Sequence, residues 1–220
     1  MWLCVLTNVA MFSVLFLLPL LIQTVQGHGA LASGLVLLPQ GLVMGLSTKL
    51  GAVIGERGYQ RVGVIVGLVA IAITTASLLL IQVGTPLWVI AAMMSGRGLG
   101  IGLVVQPLLT RMLGGLPESH MPDANTLFNV GQRLGGSVGV SLLATYFSVR
   151  ATIRVSAVLG VPVKAGATGS VPPAMRALVD RALLDAFHDA MWLAVGVVIV
   201  GVVFALWLPR SRPTEFQGFP

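Results

Sequence analysis

The chain has 220 residues, of which 56% are hydrophobic and only 9% charged, and its mean hydropathy is +0.95. Soluble domains carry about 25% charged residues, so a soluble globular domain is excluded, and the hydrophobicity also excludes intrinsic disorder. A single cysteine excludes a disulfide-stapled domain. The net charge of +6 comes from scattered basic residues, which argues against a nucleic-acid-binding cluster. What remains is a membrane protein with several spans.

Six apolar runs are long enough to cross a bilayer as helices, which takes about 20 residues each. The predicted spans are about 2–23, 31–50, 62–82, 86–109, 124–148 and 190–208. The runs do not alternate like the strands of a membrane β-barrel. The predicted fold class is therefore all-α, a polytopic membrane protein that forms one six-helix domain over 1–220.

Basic residues near span ends indicate the cytoplasmic side of a membrane protein. The loop at 49–61 carries three of them and the tail at 209–220 carries two, whereas the loops at 24–30 and 83–85 carry none. This pattern predicts that both termini are cytoplasmic.

Residues 149–189 are then predicted as an external loop, with a flexible linker at 160–173 and a short surface helix at 174–189 that runs into the last span. Opposite charges four positions apart stabilise a helix, so Arg176 is expected to pair with Asp180 and Arg181 with Asp185.

Arg97 lies in the middle of the fourth span, about 16 Å from either end. A charge at this depth is costly, so Arg97 is expected to face the bundle interior or a wet cavity. The alternative is an arginine that bonds to helix carbonyls and only stabilises packing.

The fifth span places Asn125, Asn129, Gln132 and Gly136 in a narrow stripe at 100° per residue, with Arg133 at its edge. The amides and Arg133 are expected to line something polar. Arg133 could instead extend to the nearer membrane surface.

Small residues four positions apart allow another helix to approach closely. Gly131, Gly135 and Gly139 form such a stripe on the fifth span, and Gly96 and Gly100 form one on the fourth. These five glycines are predicted to serve helix packing.

Every acidic residue and histidine falls outside the predicted spans. A proton-coupled carrier normally uses an intramembrane carboxylate or histidine as its relay, so proton coupling would need a group on a partner. The G-x-S-x-G pattern at 135–139 lies within a predicted helix rather than at a strand-to-helix turn, so it does not indicate an enzyme. No cofactor or metal site is expected.

Several segments resemble the C-terminal half of the fourteen-span drug:proton antiporters of the major facilitator superfamily. They are FLLPL at 16–20, GLVLLP at 34–39, RGLGIG at 97–102 and the stretch at 125–139. The resemblance implies a multidrug efflux carrier of a bacterial cytoplasmic membrane that works by alternating access. Protons would titrate on a missing N-terminal half, and the chain would be a fragment that is inactive alone. Its partners would be the lipid bilayer and small amphipathic or cationic drug-like substrates.

The resemblance also implies roles for individual residues. Candidate contacts in the substrate cavity are Arg97, Asn129, Gln132, Arg133, Asn8, Gln40, Met93 and Phe128. Candidates for a cytoplasmic gating ion pair are Glu56, Arg57 and Arg61, although Glu56 stands one position later than the acid of the family pattern.

Two alternatives stay open. The chain could be a membrane scaffold or truncated gene product that transports nothing, or a six-span carrier that acts as a homodimer.

Overall fold

The computed structural model describes residues 2–113, 117–160 and 173–206. Over these residues the chain forms six α-helices and no strand. In chain order they are α1 (Trp2–Thr24), α2 (Ala30–Glu56), α3 (Gln60–Ser77), α4 (Leu87–Leu113), α5 (Met121–Leu159) and α6 (Pro173–Leu206). The all-α prediction is confirmed.

Five of the helices contain stretches that are long and apolar enough to cross a bilayer. These stretches are Ala30–Gly55, Gln60–Leu80, Leu87–Leu109, Met121–Leu159 and Met175–Leu206. In α1 the apolar helix found among the described residues is the shorter segment Val14–Thr24. A first membrane span therefore remains a prediction from the sequence.

The helices form two groups of three. α4 packs against both α2 and α3, α1 packs against both α5 and α6, and contacts between α3 and α6 join the groups. Two hydrophobic clusters are stacked along the bundle. One includes Leu18, Met94 and Phe187, and the other includes Leu68 and Val104. Because Met94 is near the start of α4 and Val104 is further along it, the two clusters occupy opposite ends of the bundle.

Glycines on α4 allow two neighbouring helices to approach at once. A Cβ on Gly98 would lie 2.3 Å from the backbone oxygen of Gln40 on α2. A Cβ on Gly100 would lie 2.8 Å from the backbone oxygen of Gly67 on α3, and Gly96 lies on the same side. α4 is therefore held on two sides by backbone-to-backbone contact.

The contact of α5 with α1 also uses small residues. Gly131, Gly135 and Gly139 are buried on α5, as is the neighbouring Gly136. A Cβ on Gly136 would lie 2.9 Å from the ring of Phe12 on α1. Gly136 thus lets an aromatic side chain of α1 rest on the backbone of α5.

The predicted helix at 174–189 that runs into the last span agrees with α6, whereas residues 149–159 are helical rather than part of a loop, and residues 161–172 of the predicted linker lie outside the described residues. α5 continues to Gly160, whose φ of 69° is the left-handed conformation that commonly ends a helix. α6 starts at Pro173 and runs through the predicted surface helix into the last span without a break. Val155 of α5 and Phe187 of α6 are buried in the first cluster. Both extensions are helical because each has an apolar face that packs against the bundle.

Candidate functional site

A polar cavity opens on one side of the bundle, between α5 and Phe12 of α1. Its volume is about 730 Å³, which is within the range of small-molecule sites in proteins. Among the residues whose side chains are described, the lining comes from α5 and from Phe12. The α5 residues are Asn129, Gln132, Arg133, Gly136, Ser137, Val140 and Ser141.

These residues share one face of α5 because they recur every three or four positions. From Asn129 to Ser141 the lining extends over about 18 Å of helix. The packing glycines Gly131, Gly135 and Gly139 are buried, whereas Asn129, Ser137 and Ser141 are exposed. One helix therefore packs into the bundle through small residues and leaves a polar face open.

The polar groups of the cavity have few partners within the protein. The Nδ2 of Asn129 donates a hydrogen bond to the backbone oxygen of Asn125 at 2.9 Å. Within the described ranges, Gln132, Arg133 and the two cavity serines form no side-chain hydrogen bond or ion pair. The guanidinium, one amide and two hydroxyls can therefore all bond to water or to a ligand.

Arg97 is placed differently from Arg133. Its side chain is completely buried on α4, and its Nη1 donates a hydrogen bond to the Oγ1 of Thr75 on α3, which is also completely buried. It does not line the cavity. This position matches the alternative in which Arg97 stabilises helix packing.

The other four predicted contacts also lie away from the cavity lining. Gln40 is 4% exposed, and its backbone oxygen meets Gly98 in the contact between α2 and α4. Asn8 is 5% exposed and is held by a contact within the protein. Phe128 is buried in the second cluster and Met93 packs against the first. Of the eight candidates, the cavity brings together Asn129, Gln132 and Arg133.

The gating candidates occupy the turn between α2 and α3. Glu56 is the last residue of α2, and its side chain lies outside the described part of the structure. Arg57 is exposed at the C-cap of α2. Arg61 donates from Nη2 to the backbone oxygen of Leu206 at 2.7 Å, which ties α3 to the end of α6. Neither arginine forms an ion pair with any acid whose side chain is described.

Four charged residues meet where α5 and α6 extend beyond the cavity. Arg154 Nη2 lies 2.8 Å from Asp189 Oδ2, and Arg154 Nη1 lies 3.5 Å from Asp185 Oδ2. The Nε of Arg150 lies 3.5 Å from the same Asp189 oxygen. We call Arg150, Arg154, Asp185 and Asp189 the α5–α6 ion cluster.

The predicted ion pairs within the surface helix are wrong. Over residues 173–206, Arg176 does not pair with Asp180, and Asp185 pairs with Arg154 of α5 rather than with Arg181. Two arginines four positions apart on α5 face two aspartates four positions apart on α6. The charges are thus balanced between helices, because packing brings the positive face of α5 against the negative face of α6.

Sequence reasoning missed several of these residues. Ser137, Val140 and Ser141 continue the helical spacing of the polar stripe, so an extension of that pattern by two turns would have found them. The α5–α6 ion cluster also had a signal in the sequence, because two arginines stand four positions apart on α5 and two aspartates stand four positions apart on α6. Phe12 lies on another helix, and its role depends on how α1 and α5 pack.

Apolar helices of spanning length and a solute-sized polar cavity on one side define a polytopic membrane protein of the transporter class. The family model of the Major Facilitator Superfamily matches residues 1–140. The chain belongs to this superfamily of transporters, as the sequence resemblance predicted.

Curated relatives include bacterial drug-resistance proteins. The chain is 30% identical over 200 residues to the lincomycin resistance protein LmrB of Listeria innocua, covering 91% of this chain and 40% of that protein. It is 30% identical over 156 residues to a tetracycline resistance determinant of Streptomyces rimosus, covering 70% of this chain and 45% of the relative. An MFS-type transporter of Bacillus subtilis, YhcA, is 30% identical over 152 residues, or 69% of this chain and 29% of the relative.

The chain thus spans less than half the length of these relatives. Its apolar helices and its bacterial relatives identify it as a multi-pass bacterial membrane protein.

Proposed function

We propose that this chain is the C-terminal six-helix half of a multidrug efflux carrier and provides one wall of its substrate cavity. The observation that carries the proposal is the polar cavity on α5. Its described lining consists of α5 residues and Phe12, and the cavity is open on the side that faces away from α5. A second membrane domain on that side would enclose it. In carriers built from two related halves, the substrate site lies near the midplane between them.

The packing within this six-helix half of the carrier supports a mechanism of alternating access. In such a mechanism one half rocks against the other around the substrate site, so each half must move as a body. The backbone contacts of α4 with α2 and α3, and the stacked hydrophobic clusters, would let this half do so. The chain itself would have no enzymatic activity.

Proton coupling is assigned to the other half. Among the acids whose side chains are described, Asp123 is exposed near the start of α5 and Asp180 lies on α6. Asp185 and Asp189 belong to the α5–α6 ion cluster, and the eight described lining residues of the cavity include no acid and no histidine. The site would therefore bind substrate without exchanging a proton. Both termini would lie in the cytoplasm, with the turn between α2 and α3 on the same side.

Drug-like molecules are the proposed substrates, since the relatives are named for resistance to lincomycin and tetracycline. The first test is binding to the purified chain in phosphatidylcholine nanodiscs, with N-phenyl-1-naphthylamine as a neutral fluorescent probe. We expect saturable binding that Ser137→Trp abolishes, because the new ring would fill the cavity. Val138→Trp is the matched control, since Val138 is exposed on the same helix and does not line the cavity. Equal binding by both variants would contradict the proposal.

The second test is transport. Proteoliposomes that hold only this chain should not extrude the probe when a pH gradient is imposed. Extrusion would refute the half-carrier proposal and favour a homodimer, which crosslinking in membranes would then reveal. If the variants reduce probe binding only because less protein folds, and no variant has an effect specific to the cavity, the scaffold alternative is favoured.

A further inference from the structure

We propose that the cavity on α5 selects amphipathic substrates that carry an anionic group, such as a carboxylate or sulfonate, and disfavours cations. The proposal rests on the proposed function, because it names the substrate class of the same cavity. It departs from the sequence expectation, which included cationic substrates.

The charge of the cavity is the first argument. Arg133 is the only charged residue among the lining residues that the structure describes, and it forms no ion pair within the described ranges. Asp123, the preceding acid on α5, lies ten residues before Arg133, which is about 15 Å along the helix. A cation in the cavity would face a positive charge with no carboxylate to offset it.

The chemistry of the remaining polar groups is the second argument. A guanidinium offers several N–H donors in a planar fork that matches the geometry of a carboxylate and similar oxyanions. The hydroxyls of Ser137 and Ser141 and the amide of Gln132 can donate to further oxygens of the same group. All of these side chains line one cavity without side-chain partners elsewhere in the described structure.

The apolar part of the lining accounts for the rest of the substrate. The ring of Phe12 and the side chain of Val140 border the cavity, and an aromatic or aliphatic body can pack against them. The volume of about 730 Å³ is large enough for a drug-sized molecule. An apolar body with one acidic group therefore fits both the shape and the charge.

The test uses two probes that share an aromatic scaffold and differ in charge. These are 8-anilino-1-naphthalenesulfonate, which is anionic, and N-phenyl-1-naphthylamine, which is neutral. Each is titrated into the chain in phosphatidylcholine nanodiscs, and the signal of nanodiscs without protein is subtracted to remove binding to lipid. Arg133→Gln should weaken binding of the anionic probe about tenfold or more, as expected for loss of a charge-assisted hydrogen bond.

Three comparisons make the result specific. The neutral probe should bind Arg133→Gln within about twofold of the unchanged protein, since it carries no group for the guanidinium. Arg133→Lys should keep part of the anionic preference, because it keeps the charge but loses the fork. Arg176→Gln changes the net charge equally at an exposed site on α6 that is not among the cavity lining, and it should affect neither probe.

The outcomes separate the two proposals. If Ser137→Trp removes binding of both probes but Arg133→Gln changes neither affinity, the substrate class is wrong and the binding cavity stands. If Arg133→Gln weakens both probes equally, Arg133 acts on the structure of the cavity and the proposed selectivity is overturned. If Ser137→Trp leaves both affinities unchanged, the proposed binding function itself fails.

Discussion

The two groups of three helices use the same kinds of residues for different purposes. In the α2–α3–α4 group, glycines bring helices together on two sides of α4, and Arg97 is completely enclosed with Thr75 as a partner. In the α1–α5–α6 group, glycines are buried on α5, but the polar face with Arg133 stays open. Both α4 and α5 have two main neighbours, so we infer that the role of an arginine within an apolar helix depends on whether another helix covers the face that carries it.

The largest expected effect tests the enclosed arginine. Arg97→Ala should lower the free energy of unfolding by about 4 kcal/mol, because it removes a large, completely buried side chain and leaves a void. Arg133→Ala should change it by less than about 0.5 kcal/mol, as is usual at exposed sites. The measurement is unfolding in mixed micelles with increasing dodecyl sulfate, followed by circular dichroism.

When probe binding is measured instead of stability, Arg133→Ala should have the larger effect and Arg97→Ala the smaller. The folded fraction of Arg97→Ala should bind the anionic and neutral naphthalene probes like the unchanged protein. If Arg97→Ala instead left stability unchanged and removed binding, Arg97 would belong to the substrate site and the contrast between the two arginines would not hold.

The second prediction tests the close contact between α2 and α4. Gly98→Ala should lower the free energy of unfolding by about 2 kcal/mol, because the added methyl would overlap the backbone oxygen of Gln40 and force the helices apart. Gly45→Ala on α2 is the matched control, since a Cβ there meets nothing within 4 Å. The control should be neutral or stabilising by up to about 1 kcal/mol, because alanine favours a helix over glycine. A similar loss in both variants would show that the close approach is not the cause.

The sequence predicted what depends on one helix at a time. Hydropathy and span length identified the all-α membrane fold, and helical periodicity placed Asn129, Gln132 and Arg133 on one face of α5. The sequence could not decide between functional and structural roles for Arg97, because its role depends on the contact with Thr75, which lies on another helix. The contribution of Phe12 and the burial of Gln40 likewise arise from contacts between helices. Charge pairing failed for the same reason, since packing of α5 on α6 offered Asp185 a partner outside its own helix.

The smallest expected effect concerns that pairing between helices. Asp189→Asn should lower the free energy of unfolding by about 1 kcal/mol, because Asp189 meets both Arg150 and Arg154 and these partly exposed pairs are screened by solvent. Asp180→Asn is the control, because this substitution removes the same charge from the same helix. Asp180 forms no ion pair among the residues the structure describes. Unfolding in dodecyl maltoside, monitored by heating at low salt, would measure the difference.

Salt distinguishes an ionic contribution from a packing one. Raising the ionic strength to about 1 M shortens the screening length to about 3 Å, so the difference between Asp189→Asn and Asp180→Asn should shrink. A difference that persists at high salt would mean that Asp189 stabilises the junction of α5 and α6 through its shape and hydrogen bonds rather than its charge.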